Sequence, residues 1–307
     1  MFGVLQGFAL ILGIIGAGYL AARFRVVEGE QRRVLNNVAF YVATPALLFS
    51  VLSRSDPSII FSPVILITSA AALIVAGGYV LASRLWFHRP LADTTLGATC
   101  AGYVNSNNLG LPVAVYILGD AAYVAPLLLV QLVVFAPAVL AILETTRGNQ
   151  RGALVALGRA AANPIILASL AGLLVALVHL PIPELVLGPV DMLGGAAIPM
   201  VLLSFGMSLR GQRALQRGTG RAAVFVASGL KVLAMPLVAW LLAVAFGLAP
   251  HEVFVATTIA ALPTAQNVYN YAATYRRAET MVRDTVFLTT FASLPVIALV
   301  SALLGGA

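Results

Sequence analysis

Two short stretches of this chain carry side chains that could bind a ligand. One is Asn105-Ser106-Asn107-Asn108-Leu109-Gly110-Leu111-Pro112; the other is Ala261-Leu262-Pro263-Thr264-Ala265-Gln266-Asn267-Val268-Tyr269-Asn270. Each sets several amides beside a proline, and each lies in the middle of a long apolar run. An amide in hydrocarbon needs a hydrogen-bond partner, and a proline removes one backbone donor. The pairing predicts a helix broken at mid-membrane, with free N–H and C=O groups beside amide side chains. Asn105, Asn107, Asn108, Gln266, Asn267 and Asn270 supply the amides; Pro112 and Pro263 mark the breaks. The N-terminus of a half-helix carries partial positive charge and suits a carboxylate. Two such breaks that cross in space make one polar point in the bilayer. That chemistry is recognition and not bond making.

Few ionisable groups join them. Lys231 is the single lysine. It sits about ten residues into its apolar run, roughly 15 Å from the end at 1.5 Å per residue. A lysine at a helix centre costs about 2.5–3.5 kcal/mol on insertion scales. It therefore either contributes positive potential to a site or holds helix ends and carbonyls in shape. Asp191 is the other candidate, for coupling or for an outer vestibule, with pairing to Lys231 as the lesser alternative. Asp93, Asp120, Glu144, Glu184 and Glu252 read as span ends, and His88, His179 and His251 as loop or outer-end residues. Gln131 and Asn163 read as cross-helix hydrogen-bonding residues, and Asn36 and Asn37 as caps. No metal site and no cofactor are expected. A nucleophile with its base, which an intramembrane enzyme would need, is missing from the pattern. With so few carboxylates at depth, an anionic or neutral substrate is favoured over a bare cation.

The elements that must position these residues are membrane helices. Mean hydropathy is +0.99, with 61% hydrophobic and 9% charged residues; soluble domains carry roughly 25% charged residues. A helix needs about 20 apolar residues to cross the hydrocarbon core. Ten segments qualify, near 3–22, 34–53, 63–83, 95–118, 122–143, 161–180, 185–208, 222–246, 252–274 and 284–304. The first reads as a span and not a removable signal peptide. Sixteen of the seventeen arginines fall in loops after odd-numbered segments, and Arg54 alone falls in a loop after an even-numbered one. The positive-inside rule then puts the odd-numbered loops in the cytoplasm and both termini outside. The net charge of +7 follows these short loops, which argues against nucleic acid as a partner. Cys100 is the single cysteine, so no intramolecular disulfide forms.

Ten segments divide into residues 1–150 and 151–307. Five segments per half forces the halves to be inverted relative to one another. Two proline matches support the division. Thr44-Pro45-Ala46-Leu47-Leu48 in the second segment matches Ile198-Pro199-Met200-Val201-Leu202 in the seventh. Gly110-Leu111-Pro112 in the fourth matches Ala261-Leu262-Pro263 in the ninth. At Pro45 and Pro199 a simple kink and a break stand as equal readings; at Pro112 and Pro263 the clustered amides favour a break.

At these residues the chain resembles the auxin efflux carrier family, in its prokaryotic branch. That family includes plant PIN-FORMED auxin exporters and bacterial organic-acid permeases. Asn105 ahead of Gly110-Leu111-Pro112 resembles its first crossover, and Ala261-Leu262-Pro263 through Asn267, with Ala272 and Tyr275, its second. Pro45, Asn163-Pro164, Gly172, Pro199, Gly206, Lys231 and Pro236 fit the segments between. The resemblance implies an all-α integral membrane fold of ten helices, a 5+5 inverted repeat with crossing broken helices in spans 4 and 9. It implies a scaffold domain from spans 1, 2, 6 and 7 and a transport domain from spans 3–5 and 8–10. It also implies a homodimer and elevator-like alternating access, with Asn105 as the crossover asparagine and Pro112 and Pro263 as the crossover prolines. The short loop between the halves and Asn267 depart from the plant members and favour a small carboxylate. The bile acid:sodium symporters are related in fold, but their acidic sodium ligand in the ninth span has no counterpart here.

The expected function is secondary transport of a small organic anion, such as a mono- or dicarboxylate or an auxin-like acid, in the cell's inner (plasma) membrane. A cation-coupled carrier, a channel or a receptor on the same fold is the alternative.

Overall fold

The computed structural model describes residues 2–27, 29–55, 62–146, 162–210 and 220–305. The expected division at 150/151 and Arg147, Arg151, Arg159, Arg213 and Arg217 lie outside these residues.

The described chain is helical. In order it forms α1 (Phe2–Arg23), α2 (Glu30–Arg54), α3 (Pro63–Phe87), α4 (Leu91–Gly102), α5 (106–118), α6 (Ala121–Thr145), α7 (Pro164–Leu177), α8 (Glu184–Ser208), α9 (Arg221–Ala245), α10 (Pro250–Ala260), α11 (Asn267–Tyr275) and α12 (Glu279–Leu304). Six of these, α2, α3, α6, α8, α9 and α12, are long and apolar enough to cross a membrane. The chain is therefore a multi-pass membrane protein. The remaining apolar segments are shorter or interrupted, for reasons the sequence carries. Pro164 opens α7 behind Asn163, whose Oδ1 accepts from Ile165 N at 2.9 Å; Asn163 caps a helix and makes no bond across one among the described residues. The second helix begins well before residue 34, so Asn36 and Asn37 are interior to α2 and cap nothing.

Four of the prolines within helices share one arrangement. Pro45, Pro112, Pro137 and Pro236 each lie two residues beyond a widened turn, at Ala39–Ala43, Ser106–Gly110, Gln131–Phe135 and Leu230–Ala234. A proline cannot donate to the carbonyl four residues earlier. Widening the turn hands that carbonyl to a different N–H and lets the helix continue. Pro45 thus sits in a continuous helix.

The helices pack in two sets. In one, α1 lies on α8, and α7 and α8 lie on α2. In the other, α3 packs on α4, α9 and α10, while α12 packs on α9 and α10. In lipid, close packing and not the hydrophobic effect holds helices together. Small residues provide it: the α-carbon of Gly206 faces the backbone of Ile15, and that of Gly172 faces the backbone of Phe49. Any side chain at either position would strike the neighbouring main chain.

Candidate functional site

Two helices stop inside the structure. After α4 the chain is non-helical at Tyr103, Val104 and Asn105; between α10 and α11 it is non-helical around residues 261–266. The first interruption therefore lies seven residues before Pro112, which is buried within α5, and not at the proline itself. Val104 and Thr264 meet as an antiparallel bridge. Asn105 N donates to Pro263 O at 2.9 Å, and Ala265 N donates to Tyr103 O at 3.1 Å. Pro263 occupies a position that needs only an acceptor, which a proline can supply.

The other groups freed by the interruptions find side chains. Thr264 N donates to Thr289 Oγ1 at 3.2 Å, and Thr264 Oγ1 donates to Cys100 O at 2.6 Å. Lys231, fully buried, donates from Nζ to Ala260 O at 3.0 Å and to Met235 Sδ at 2.9 Å. Ala260 ends α10, where the last carbonyls of a helix lack partners and the dipole is negative. The Lys231 amino group therefore sits on a helix C-terminus.

The amides assemble on one side of this bridge. Asn105 Oδ1 accepts from Asn108 N at 3.1 Å and caps α5. Asn107 Nδ2 donates to Asn108 Oδ1 at 3.1 Å, Asn108 Nδ2 to Gln266 Oε1 at 3.0 Å, and Gln266 Nε2 to Ser208 Oγ at 3.4 Å. A directional chain of hydrogen bonds thus joins both interruptions and ends on α8.

Beside it lies a cavity of about 650 Å³. Asn107, Asn108, Gln266, Asn267 and Asn270 form its amide wall, and Asn36 and Phe40 of α2 with Ser204 and Ser208 of α8 form another. Arg32, Arg33 and Arg283 complete it, and no aspartate or glutamate is among the described residues that line it. The α11 helix starts at Asn267 with no side-chain cap, so the positive end of its dipole lies in the amide wall. Amide donors, guanidinium groups and a helix N-terminus together suit an anion.

The expected site residues separate into groups. Asn107, Asn108, Gln266, Asn267 and Asn270 line the large cavity. Asn105 lies behind it, 3% exposed, with Gln131 of α6. Pro112, Pro263 and Lys231 line neither cavity and act on the backbone that shapes the site. Asp191 is elsewhere on α8, in a two-pronged ion pair with Arg54. Nη2 donates to Oδ2 at 2.7 Å and Nη1 to Oδ1 at 3.1 Å, with Ser50 Oγ hydrogen-bonded to the same carboxylate. Asp191 does not pair with Lys231. Its partner is the one arginine that departs from the loop pattern, and the pairing neutralises it.

Arg32, Arg33, Arg283, Asn36 and Ser208 were not among the expected residues. In the sequence the arginines mark only orientation. Their position next to segment starts, on the same side as the amides, was the available signal. Asp284, taken as the first residue of a span, is fully buried in α12 and pairs with Arg283, whose Nη2 lies 2.9 Å from Oδ1.

Known proteins resemble this chain along most of its length. The membrane transport protein family model matches residues 4–301. The chain is 30% identical over 292 residues to a "Putative malonate transporter" of Rhizobium meliloti, covering 92% of this chain and 89% of that one. It is 25% identical over 300 residues to an "Uncharacterized transporter" of Methanocaldococcus jannaschii, covering 94% and 95%. A similar "Uncharacterized transporter" of Methanothermobacter thermautotrophicus is 30% identical over 239 residues, covering 75% and 74%.

Proposed function

The chain belongs to the membrane transport protein family, the auxin efflux carrier family that its motifs resemble, and on that premise we propose that it is a secondary transporter of small dicarboxylates such as malonate. Family membership makes it a membrane transport protein and not an enzyme. One observation carries the substrate class: a cavity whose described lining holds six amides and three arginines without a carboxylate. The relative's name narrows the class to malonate-like acids.

The finer architecture follows as a proposal. Residues 1–150 and 151–307 are inverted five-span repeats, with α4/α5 and α10/α11 as equivalent broken spans. The set α1, α2, α7 and α8 is a scaffold, and the spans bearing the interruptions move against it as an elevator. The cavity lies between the two sets, which supports this reading. Arg32, Arg33 and Arg283 line the cavity at the arginine-rich ends of their helices, which supports an inward-facing state in the inner membrane with both termini outside. A homodimer formed through the scaffold set completes the proposal.

Malonate counterflow in proteoliposomes tests the function. A carrier exchanges labelled external malonate against a preloaded internal pool, with saturation. A channel gives flux without exchange, and that outcome would reject the carrier reading. Failure of any di- or monocarboxylate to shift the melting temperature of the pure protein would reject the substrate class.

A further inference from the structure

A second cavity of about 20 Å³ lies behind the amide wall, between α5 and α6. It shares Phe40, Asn107, Asn108 and Asn267 with the large one. Besides these asparagines its polar lining includes Asn105, Ser106 and Gln131, and Asn105 and Gln131 are 3% and 1% exposed. Three buried side-chain atoms of these residues have no hydrogen-bond partner among the described residues: Asn105 Nδ2, Gln131 Nε2 and Asn107 Oδ1.

The other bonds of these amides leave these three atoms over. Asn105 Oδ1 accepts from a backbone N–H, which can only donate, so Nδ2 is the group left over. Gln131 Oε1 accepts from Ser106 Oγ at 2.7 Å, leaving Nε2. Asn107 Nδ2 is committed to Asn108, leaving Oδ1. The unmatched set is two donors and one acceptor. Buried polar groups of this kind are met by protein or by ordered water.

We propose that this chamber is the site of one ordered water, accepting from Asn105 Nδ2 and Gln131 Nε2 and donating to Asn107 Oδ1. Volume and chemistry both select water. About 10–15 Å³ of such space holds one water molecule, which excludes a whole carboxylate. A cation would face two N–H donors. A carboxylate oxygen reaching in from the large cavity would leave Asn107 Oδ1 unmatched. The water ties α6 to the first interruption and makes Gln131 a positioning residue for Asn105 and Asn107. That last role rests on the proposed anion site; the water itself does not.

The test is a high-resolution structure of the purified full chain, with and without malonate, beside the variant Gln131→Met. The expected result is one spherical density peak within hydrogen-bonding distance of all three atoms, present in both wild-type states and absent from the variant. The variant should bind malonate roughly tenfold more weakly while remaining monodisperse, since buried donors and acceptors are left unmatched. A dry chamber, a substrate oxygen in it, or a peak with cation-like coordination would overturn the proposal. If the variant does not fold, the wild-type density decides alone. A water peak with unchanged affinity in Gln131→Met would keep the water and reject the positioning role. A water peak in a protein that binds no organic acid would reject the proposed function alone.

Discussion

Asn105 donates its backbone N–H to the carbonyl of Pro263 at 2.9 Å. The first interruption is thereby held by the second, about half the chain away. Neither segment could leave a helix alone in lipid, because each freed backbone group would cost several kcal/mol. The amide wall exists because the two interruptions complete each other.

Replacing Asn105 tests this wall. Asn105→Ala removes the cap on α5, worth about 0.5–2 kcal/mol, and one buried amide donor. Malonate counterflow is expected to fall at least tenfold, with the protein still inserted and monodisperse. Full transport by the variant would remove Asn105 from the mechanism.

Lys231→Met separates a structural role from an electrostatic one. The lysine holds Ala260 O and lines neither cavity. The melting temperature of the free protein should fall, since leaving a buried carbonyl unmatched costs about 1–3 kcal/mol. Malonate affinity should change less than about threefold; a loss of one order of magnitude would return Lys231 to the binding site.

Arg283 is expected to contribute charge directly to the cavity. Arg283→Gln, made together with Asp284→Asn so that no buried carboxylate loses its partner, should weaken malonate binding about tenfold. Calorimetric titration of malonate into both proteins reads the change, and equal affinity would remove Arg283 from the site.

The Arg54–Asp191 pair should matter little to transport. Its side chains are 48% and 33% exposed, and ion pairs of that kind contribute about 0–1 kcal/mol. A double-mutant cycle on Arg54→Gln and Asp191→Asn should give a coupling within that range, with counterflow unchanged. Abolished transport in Asp191→Asn would make Asp191 a coupling residue after all.

The Gln266–Ser208 contact, at 3.4 Å, joins an interruption to α8. If the two helix sets move relative to one another, this contact must break in each cycle. Gln266→Cys with Ser208→Cys, in a Cys100→Ser background, should be bridged by mercuric ion with loss of nearly all counterflow, reversed by excess thiol. Undiminished counterflow in a demonstrably bridged protein would exclude relative motion at this point.

Much of this protein was readable in its residues, for a reason particular to lipid. Hydrocarbon offers no partner for a polar group, so every amide or proline in an apolar run must have a cause. That requirement marked Asn107, Asn108, Gln266, Asn267 and Asn270 before any fold was known. It also singled out Lys231 as a residue that needs either a site or a partner. What stayed hidden was the identity of each partner. Lys231 bonds the carbonyl of Ala260 and not Asp191; Asp191 bonds Arg54; Thr289 and Cys100 bond Thr264.

The local signals of composition, spacing and proline position determined that the chain is a helical membrane protein with two polar interruptions. The tertiary structure alone decided that the first helix stops at Tyr103 and not at Pro112, that Arg32, Arg33 and Arg283 stand around the amides, and that Asn105 faces a separate chamber with Gln131. The physical reason is range. Helix formation and membrane insertion depend on neighbours within a few turns, whereas satisfying a freed backbone group depends on whichever distant segment packs against it.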